Sequence, residues 1–130
     1  MRILLDTHAW IWNFADPSSL STNARIALSD PSNELFLSPI STWEVLMLAR
    51  KGRIRLDREP QAWLHVALAA TPATQLPITH EIAARSHDLS GYNNSDPADR
   101  LIVATALVHG IRILTRDECM TAWMPNVTFW

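Results

Sequence analysis

Apolar positions along this chain fall into two kinds of segment that alternate. Short β-rich runs of four or five residues, close to what one buried strand needs, are separated by longer stretches with apolar residues at helical spacing. The short runs predict strands over 2–6 (RILLD), 34–38 (ELFLS), 75–78 (QLPI), 111–115 (IRILT) and 127–130 (VTFW). Between them the spacing predicts helices over 7–15, 22–29, 42–51, 60–70, 80–86 and 97–109, with one more short helix before the last strand. No repeat, low-complexity tract or linker interrupts the alternation. Strands that alternate with helices form a parallel sheet with helices on both faces, so the expectation is an α/β fold.

In such a sheet the strand C-termini and helix N-termini meet along one edge, where open α/β folds bind their ligands. Five acids are predicted there. Asp6 closes the first strand. Glu44 follows the second, read as the third position of a helix that Ser41 opens with a capping box, Ser41-Thr42-Trp43-Glu44. Asp96 and Asp99 begin the helix that feeds the fourth strand, and Asp117 comes directly after that strand. Each has a local explanation: Asp96 is a good N-cap, Pro97 fits the first helical position, and Asp99 faces the positive end of the helix dipole. Taken together, several carboxylates in one partly dry cleft repel one another unless a cation sits among them or some stay protonated. An all-oxygen ligand set without a built-in histidine suits Mg²⁺, or Mn²⁺, better than zinc or copper. Thr115, two residues before Asp117, is placed to support the cluster through its hydroxyl.

Composition narrows the chemistry. A chain of 130 residues, 48% of them hydrophobic, is the size of one domain with one core, so 1–130 is read as a single domain. The apolar run at the start is too short for a signal peptide and no stretch approaches a membrane span, which predicts a cytoplasmic protein without membrane contact. Cys119, the single cysteine, has no disulfide partner and is assigned no role. The net charge of −2 gives no global sign of nucleic-acid binding, yet five of the eleven basic residues crowd into RKGRIRLDR. Arg50, Lys51, Arg53 and Arg55 are therefore candidates for phosphate contacts, against the alternative of a solvated loop. The three glycines build no phosphate-cradling loop after the first strand, and no serine or histidine assembles a nucleophile with an evident base. What remains is metal-assisted attack by water on a phosphodiester.

The blocks ILLDTHAWIW, LSPISTWEVLMLARKGRIRL, LPITHEIA and SDPADRLIVATALVHGIRILTRDE, ending in VTFW, resemble the PIN-domain ribonucleases of the VapC toxin type and cover most of the chain in that family's order. The resemblance implies a PIN-like three-layer sandwich around a five-stranded parallel sheet. It implies an acidic metal site of Asp6, Glu44, Asp99 and Asp117, with Asp96 matching a further aspartate of the subgroup. It also implies Mg²⁺-dependent RNA cleavage, homodimerisation and inhibition by a cognate antitoxin. Similar toxins commonly read His-x-Asp-Pro-Phe-Asp-Arg where this chain has Asn94-Ser95-Asp96-Pro97-Ala98-Asp99-Arg100, so contacts made by that histidine and phenylalanine are not carried over. Arg100 is read as half of a structural ion pair. Trp10 and Trp12, two apart on one helix, cannot share a face, and with Phe14 they suggest a dimer or antitoxin contact. Two other functions use acids at the same edge or the same fold: a metal-dependent phosphatase or receiver-like phosphoacceptor, and a catalytically silent RNA- or protein-binding module.

Overall fold

In the computed structural model, which describes residues 1–130, the chain runs β1 (Arg2–Leu5), α1 (Thr7–Ala15), a 3-10 turn (Pro17–Ser19), α2 (Thr22–Ser29) and β2 (Glu34–Leu37). It continues through α3 (Pro39–Arg50), α4 (Pro60–Ala70), β3 (Ala73–Gln75), α5 (His80–Arg85), α6 (Pro97–His109), β4 (Arg112–Leu114), α7 (Glu118–Trp123) and β5 (Thr128–Phe129). The five strands form one sheet in the order β3-β2-β1-β4-β5. Every pairing is parallel. No helix is long and apolar enough to cross a membrane.

Period-two alternation divides the apolar side chains between two cores. Ile3 and Leu5 of β1, Leu35 and Leu37 of β2 and Leu114 of β4 meet Trp10 of α1, Ala24 of α2 and Trp63 and Ala67 of α4. Their neighbours Leu4, Phe36 and Ile113 meet Ile102, Val103 and Ala106 of α6 and Met120 of α7 on the opposite face. The result is the expected three layers. Burial of each large aliphatic side chain contributes roughly 1.5–3 kcal/mol, and it is this surplus that lets the sheet carry charged groups at its end.

Strand order reverses at β1: the chain moves outward through β2 and β3, then returns to place β4 on the other side. The connections leaving β1 and β4 therefore diverge, and a crevice opens beyond the C-terminal ends of those two central strands.

Several predicted boundaries move, each for a local reason. The helix expected from residue 42 begins at Pro39, because Ser38 accepts from the Ile40 N–H (3.2 Å) and Pro39 occupies the first helical position. Ser41 is thus interior to α3 rather than its cap. The third strand lies upstream of its expected place, at Ala73–Gln75, since Pro77 has no N–H to offer a ladder. Trp10 is wholly buried, its indole N–H donating to Thr71 Oγ1 (2.9 Å), so it belongs to the core rather than to a partner surface.

Arg100 also departs from expectation. It forms no ion pair; its guanidinium donates to the carbonyls of Ser86 (2.8 Å), Tyr92 (3.2 Å) and Asn94 (2.9 Å). Its fork thereby ties the connection between α5 and α6 to α6 itself, where a point charge on a flexible stem would satisfy fewer acceptors. Arg100→Met is expected to cost about 2–4 kcal/mol by leaving these carbonyls short of donors, with amide exchange faster across residues 86–94. Unchanged stability and protection would show that the connection is held by something else.

Candidate active site

Asp6 and Thr115 sit one step past paired strands. The register that sets Leu5 beside Leu114 continues through the Asp6 N–H, which donates to the Leu114 carbonyl (3.1 Å). The two following side chains are neighbours as a consequence, and Thr115 Oγ1 donates to Asp6 Oδ2 (2.7 Å). Asp6 Oδ1 accepts from the Thr7 N–H (2.8 Å) at the start of α1. The Thr115 hydroxyl also accepts from the Asp117 N–H (2.9 Å), so one buried threonine fixes the backbone on both sides of the crevice.

Glu44 reaches the same place from the second turn of α3, whose inward face is Ser41, Glu44, Val45 and Leu48. Ser41 Oγ accepts from Thr7 Oγ1 (3.0 Å), which locks α3 against the first residue of α1. Asp99 arrives from the first turn of α6. Its N–H donates to Asp96 Oδ1 (3.0 Å), and its own Oδ2 accepts from Asn94 Nδ2 (2.8 Å).

One carboxylate oxygen from each of Asp6, Glu44 and Asp99 lies within 4.8 Å of the others. Asp96 and Asp117 line the same cleft of about 630 Å³ but stand outside this group. Each spends an oxygen on a helix start, Asp96 on Asp99 and Asp117 on the Met120 N–H (2.7 Å).

Ion pairs in the chain are confined to Arg58–Asp57 and Arg85–Asp88, so none of the three convergent acids is paired with a cationic side chain. Burial raises the Asp6 carboxyl above its ordinary value, with the Thr115 and Thr7 hydrogen bonds opposing it. Glu44 is raised by burial too, with the nearby Thr7 hydroxyl opposing and the charges of Asp6 and Asp96 adding to the rise. Asp99 is pushed up to about 7, chiefly by burial, with Asn94 opposing and Asp6, Asp96 and Glu44 reinforcing. Three hard oxygen donors, two of them fixed by hydrogen bonds and all short of positive charge, match what a divalent cation of the Mg²⁺ or Mn²⁺ kind requires.

Of the basic candidates, Arg53 lines the cleft, whereas Arg50, Lys51 and Arg55 are exposed on the solvent side of the same turn. Arg116 lines the cleft as well and was not singled out in the sequence, although its place beside Asp117 after a strand was the available signal. Thr7, Ser41 and Asn94 were missed likewise. Asn94 had a signal of its own: an asparagine two residues before a capping aspartate makes an Asx turn, and Asn94 Oδ1 accepts from the Asp96 N–H (2.9 Å). His8 and Trp12 face the cleft from α1, and Cys119 is exposed at its rim.

The PIN domain family matches residues 3–122. This chain belongs to the PIN-domain family. It is 38% identical over 116 residues to Ribonuclease VapC22 of Mycobacterium tuberculosis, an alignment covering 89% of this chain and 87% of that protein. Among solved structures, a toxin–antitoxin complex from Klebsiella pneumoniae is similar with a TM-score of 0.64 and 26% identity, covering 98% of this PIN domain chain and 96% of the other. VapBC2 from Rickettsia felis, bound to a DNA fragment from its promoter, superposes over all of both chains with a TM-score of 0.71 at 14% identity, a likeness of fold.

The raised acids make the stability of the PIN domain depend on pH in a definite sense. Asp99 holds its proton in the folded state up to about 7 but ionises near 3.8 when unfolded, so its contribution is complete below about pH 4 and is lost as pH rises through 7. In EDTA, stability should fall by something on the order of 1–2 kcal/mol between pH 4.5 and 7.5, after allowing for solvent screening of the half-buried group. Addition of Mg²⁺ at pH 7.5 should restore it. Thermal melts at the two pH values check this; stability that rises with pH in EDTA would contradict it. Thr115→Val, which keeps shape and removes the hydroxyl, should weaken Mg²⁺ or Mn²⁺ affinity about 10-fold or more in a calorimetric titration, and unchanged affinity would remove Thr115 from the site.

Proposed function

We propose that this PIN-domain protein is an endoribonuclease dependent on Mg²⁺, with Mn²⁺ as a substitute, and that it acts as the toxin of a toxin–antitoxin pair. The observation that carries the reading is the convergence of Asp6, Glu44 and Asp99, in a chain 38% identical over most of its length to a ribonuclease. The activity resides in one domain, residues 1–130.

Asp6, Glu44 and Asp99 would hold the ion, with Asp117 and Asp96 lining the same cleft and adding negative charge to it. A bound divalent cation supplies charge neutralisation at the scissile phosphate and a water of lowered pKa. The chain's own groups do the positioning. Thr115 and Thr7 fix the Asp6 carboxylate, and Asn94 fixes that of Asp99. Arg53 and Arg116 stand on the cleft to receive phosphates on either side of the bond that is cut. Met47 and Leu48 give the cleft an apolar border. In this reading water attacks the phosphorus and the 3′ oxygen leaves and takes up a proton, so the products carry 5′-phosphate and 3′-hydroxyl ends.

An antitoxin partner and a homodimer are part of the same proposal. The Klebsiella neighbour is a toxin–antitoxin complex. In this chain Trp43 is 54% exposed on α3, next to Glu44 in sequence and flanked at helical spacing by the half-buried Ile40 and Met47. An exposed indole in such a row is a natural anchor for a protein surface.

Asp99→Asn separates the enzyme from a silent binding module. It removes one ligand charge and preserves shape, so the variant should stay folded, keep RNA affinity and lose roughly 100-fold or more in cleavage rate. EDTA should abolish cleavage by wild type. A folded Asp99→Asn protein that cleaves at the wild-type rate would exclude Asp99 from the site. Products ending in 2′,3′-cyclic phosphate would contradict attack by water.

A further inference from the structure

Trp12 is the one large aromatic residue that the chain places inside the acidic cleft. Asp6 caps α1 and Trp12 lies six residues further on, about 9 Å along the helix axis at 1.5 Å per residue. That span is comparable to the reach from a phosphate to the base of an adjoining nucleotide.

Its surroundings differ from those of Trp10 and Trp123. Trp10 is wholly buried, sits against the Trp63 ring and spends its indole N–H on Thr71. Trp123 spends its own on the Ser90 carbonyl. Trp12 has no such commitment and is only half-buried, lining the cleft together with Arg53 and Arg116. It is held nonetheless. The Trp130 ring meets it edge to face with centroids 5.5 Å apart, and the His8 ring, one turn back on α1, lies 5.5 Å away on the side of Asp6. Part of the indole packs with Trp130 against the core, and the remainder is open to a cleft of carboxylates and guanidinium groups, which core packing does not account for.

We propose that Trp12 is a substrate-binding residue on which one base of the RNA stacks, next to the phosphodiester held at Asp6, Glu44 and Asp99. The inference rests on the ribonuclease reading above. Every nucleobase has a π face, so a rigid aromatic platform binds it at low entropic cost, while the flanking arginines take the phosphates. That combination of acids, guanidinium groups and one half-buried ring fits a nucleotide better than a protein segment. The base must leave its own stack to reach the platform, so the strand has to be unpaired at that position.

The test pairs a change in the protein with a change in the RNA. The cut in a short unpaired oligoribonucleotide is mapped first, and single abasic residues are then introduced at each position flanking it. For wild type, one abasic position should lower kcat/KM about 10-fold, mostly through KM. In Trp12→Leu, which keeps apolar volume against Trp130, the intact strand should already show that loss and the abasic strand should show no more. Trp12→Phe should retain part of the abasic penalty, and it serves as the second variant should Trp12→Leu fail to fold. A full penalty surviving in Trp12→Leu or Trp12→Phe, or no penalty at any position in wild type, would overturn the proposal and leave the ring to a protein partner. If wild type cuts no RNA at all, the ribonuclease reading falls and this inference with it.

Discussion

Three carboxylates brought within 4.8 Å of one another, two of them buried, without a cationic side chain among them, are the constraint around which this molecule is arranged. Burial first, and the charges of neighbouring acids second, push Asp99 up to about 7 and raise Asp6 and Glu44 as well. Such a cluster persists in a folded chain only when the scaffold is stable enough to hold it. Here a parallel sheet with an apolar core on each face does so, and the switch in strand order at β1 leaves the cluster in an open crevice where an ion and a phosphate can reach it.

The supports are as specific as the acids. Thr115 bonds both Asp6 and the Asp117 backbone, and Thr7 joins Asp6 to Ser41 beside Glu44. Asn94 holds Asp99, and Arg100 holds the backbone of Asn94 in turn. This chain of contacts links β1, β4, α1, α3 and α6, so the carboxylates are positioned by groups whose own rotamers are fixed, as metal ligands require. Asn94 does this work with a neutral amide that donates to Asp99 and accepts from the Asp96 N–H.

Much of this was legible in the sequence because it is local. The bounds of α1, α2, α4 and α6 agree with their hydrophobic spacing and capping residues, and strand alternation implied the parallel sheet. Asp6 and Asp99 could be placed at one edge from their positions at a strand end and a helix start. Glu44 was placed there for an incomplete reason. Ser38 and Pro39 outcompete Ser41 for the helix start, yet moving the start leaves Glu44 on the inward face because Ser41, Glu44 and Leu48 follow helical spacing either way. The unread features depend on contacts between distant residues. Thr7 and Ser41 are 34 positions apart, and Arg100 bonds carbonyls up to 14 residues away. Trp10 and Trp12 looked alike in composition, and only the packing of α1 against α4 sends one into the core and the other to the cleft.

The most direct measurement is anomalous diffraction from crystals grown with Mn²⁺. An ion held by the three convergent carboxylates predicts an anomalous peak within coordination distance of Asp6, Glu44 and Asp99 together, lost in crystals grown with EDTA. Mn²⁺ bound elsewhere, or no peak in a structure that keeps the three carboxylates converged at saturating Mn²⁺, would contradict the assignment of this cluster as the metal site.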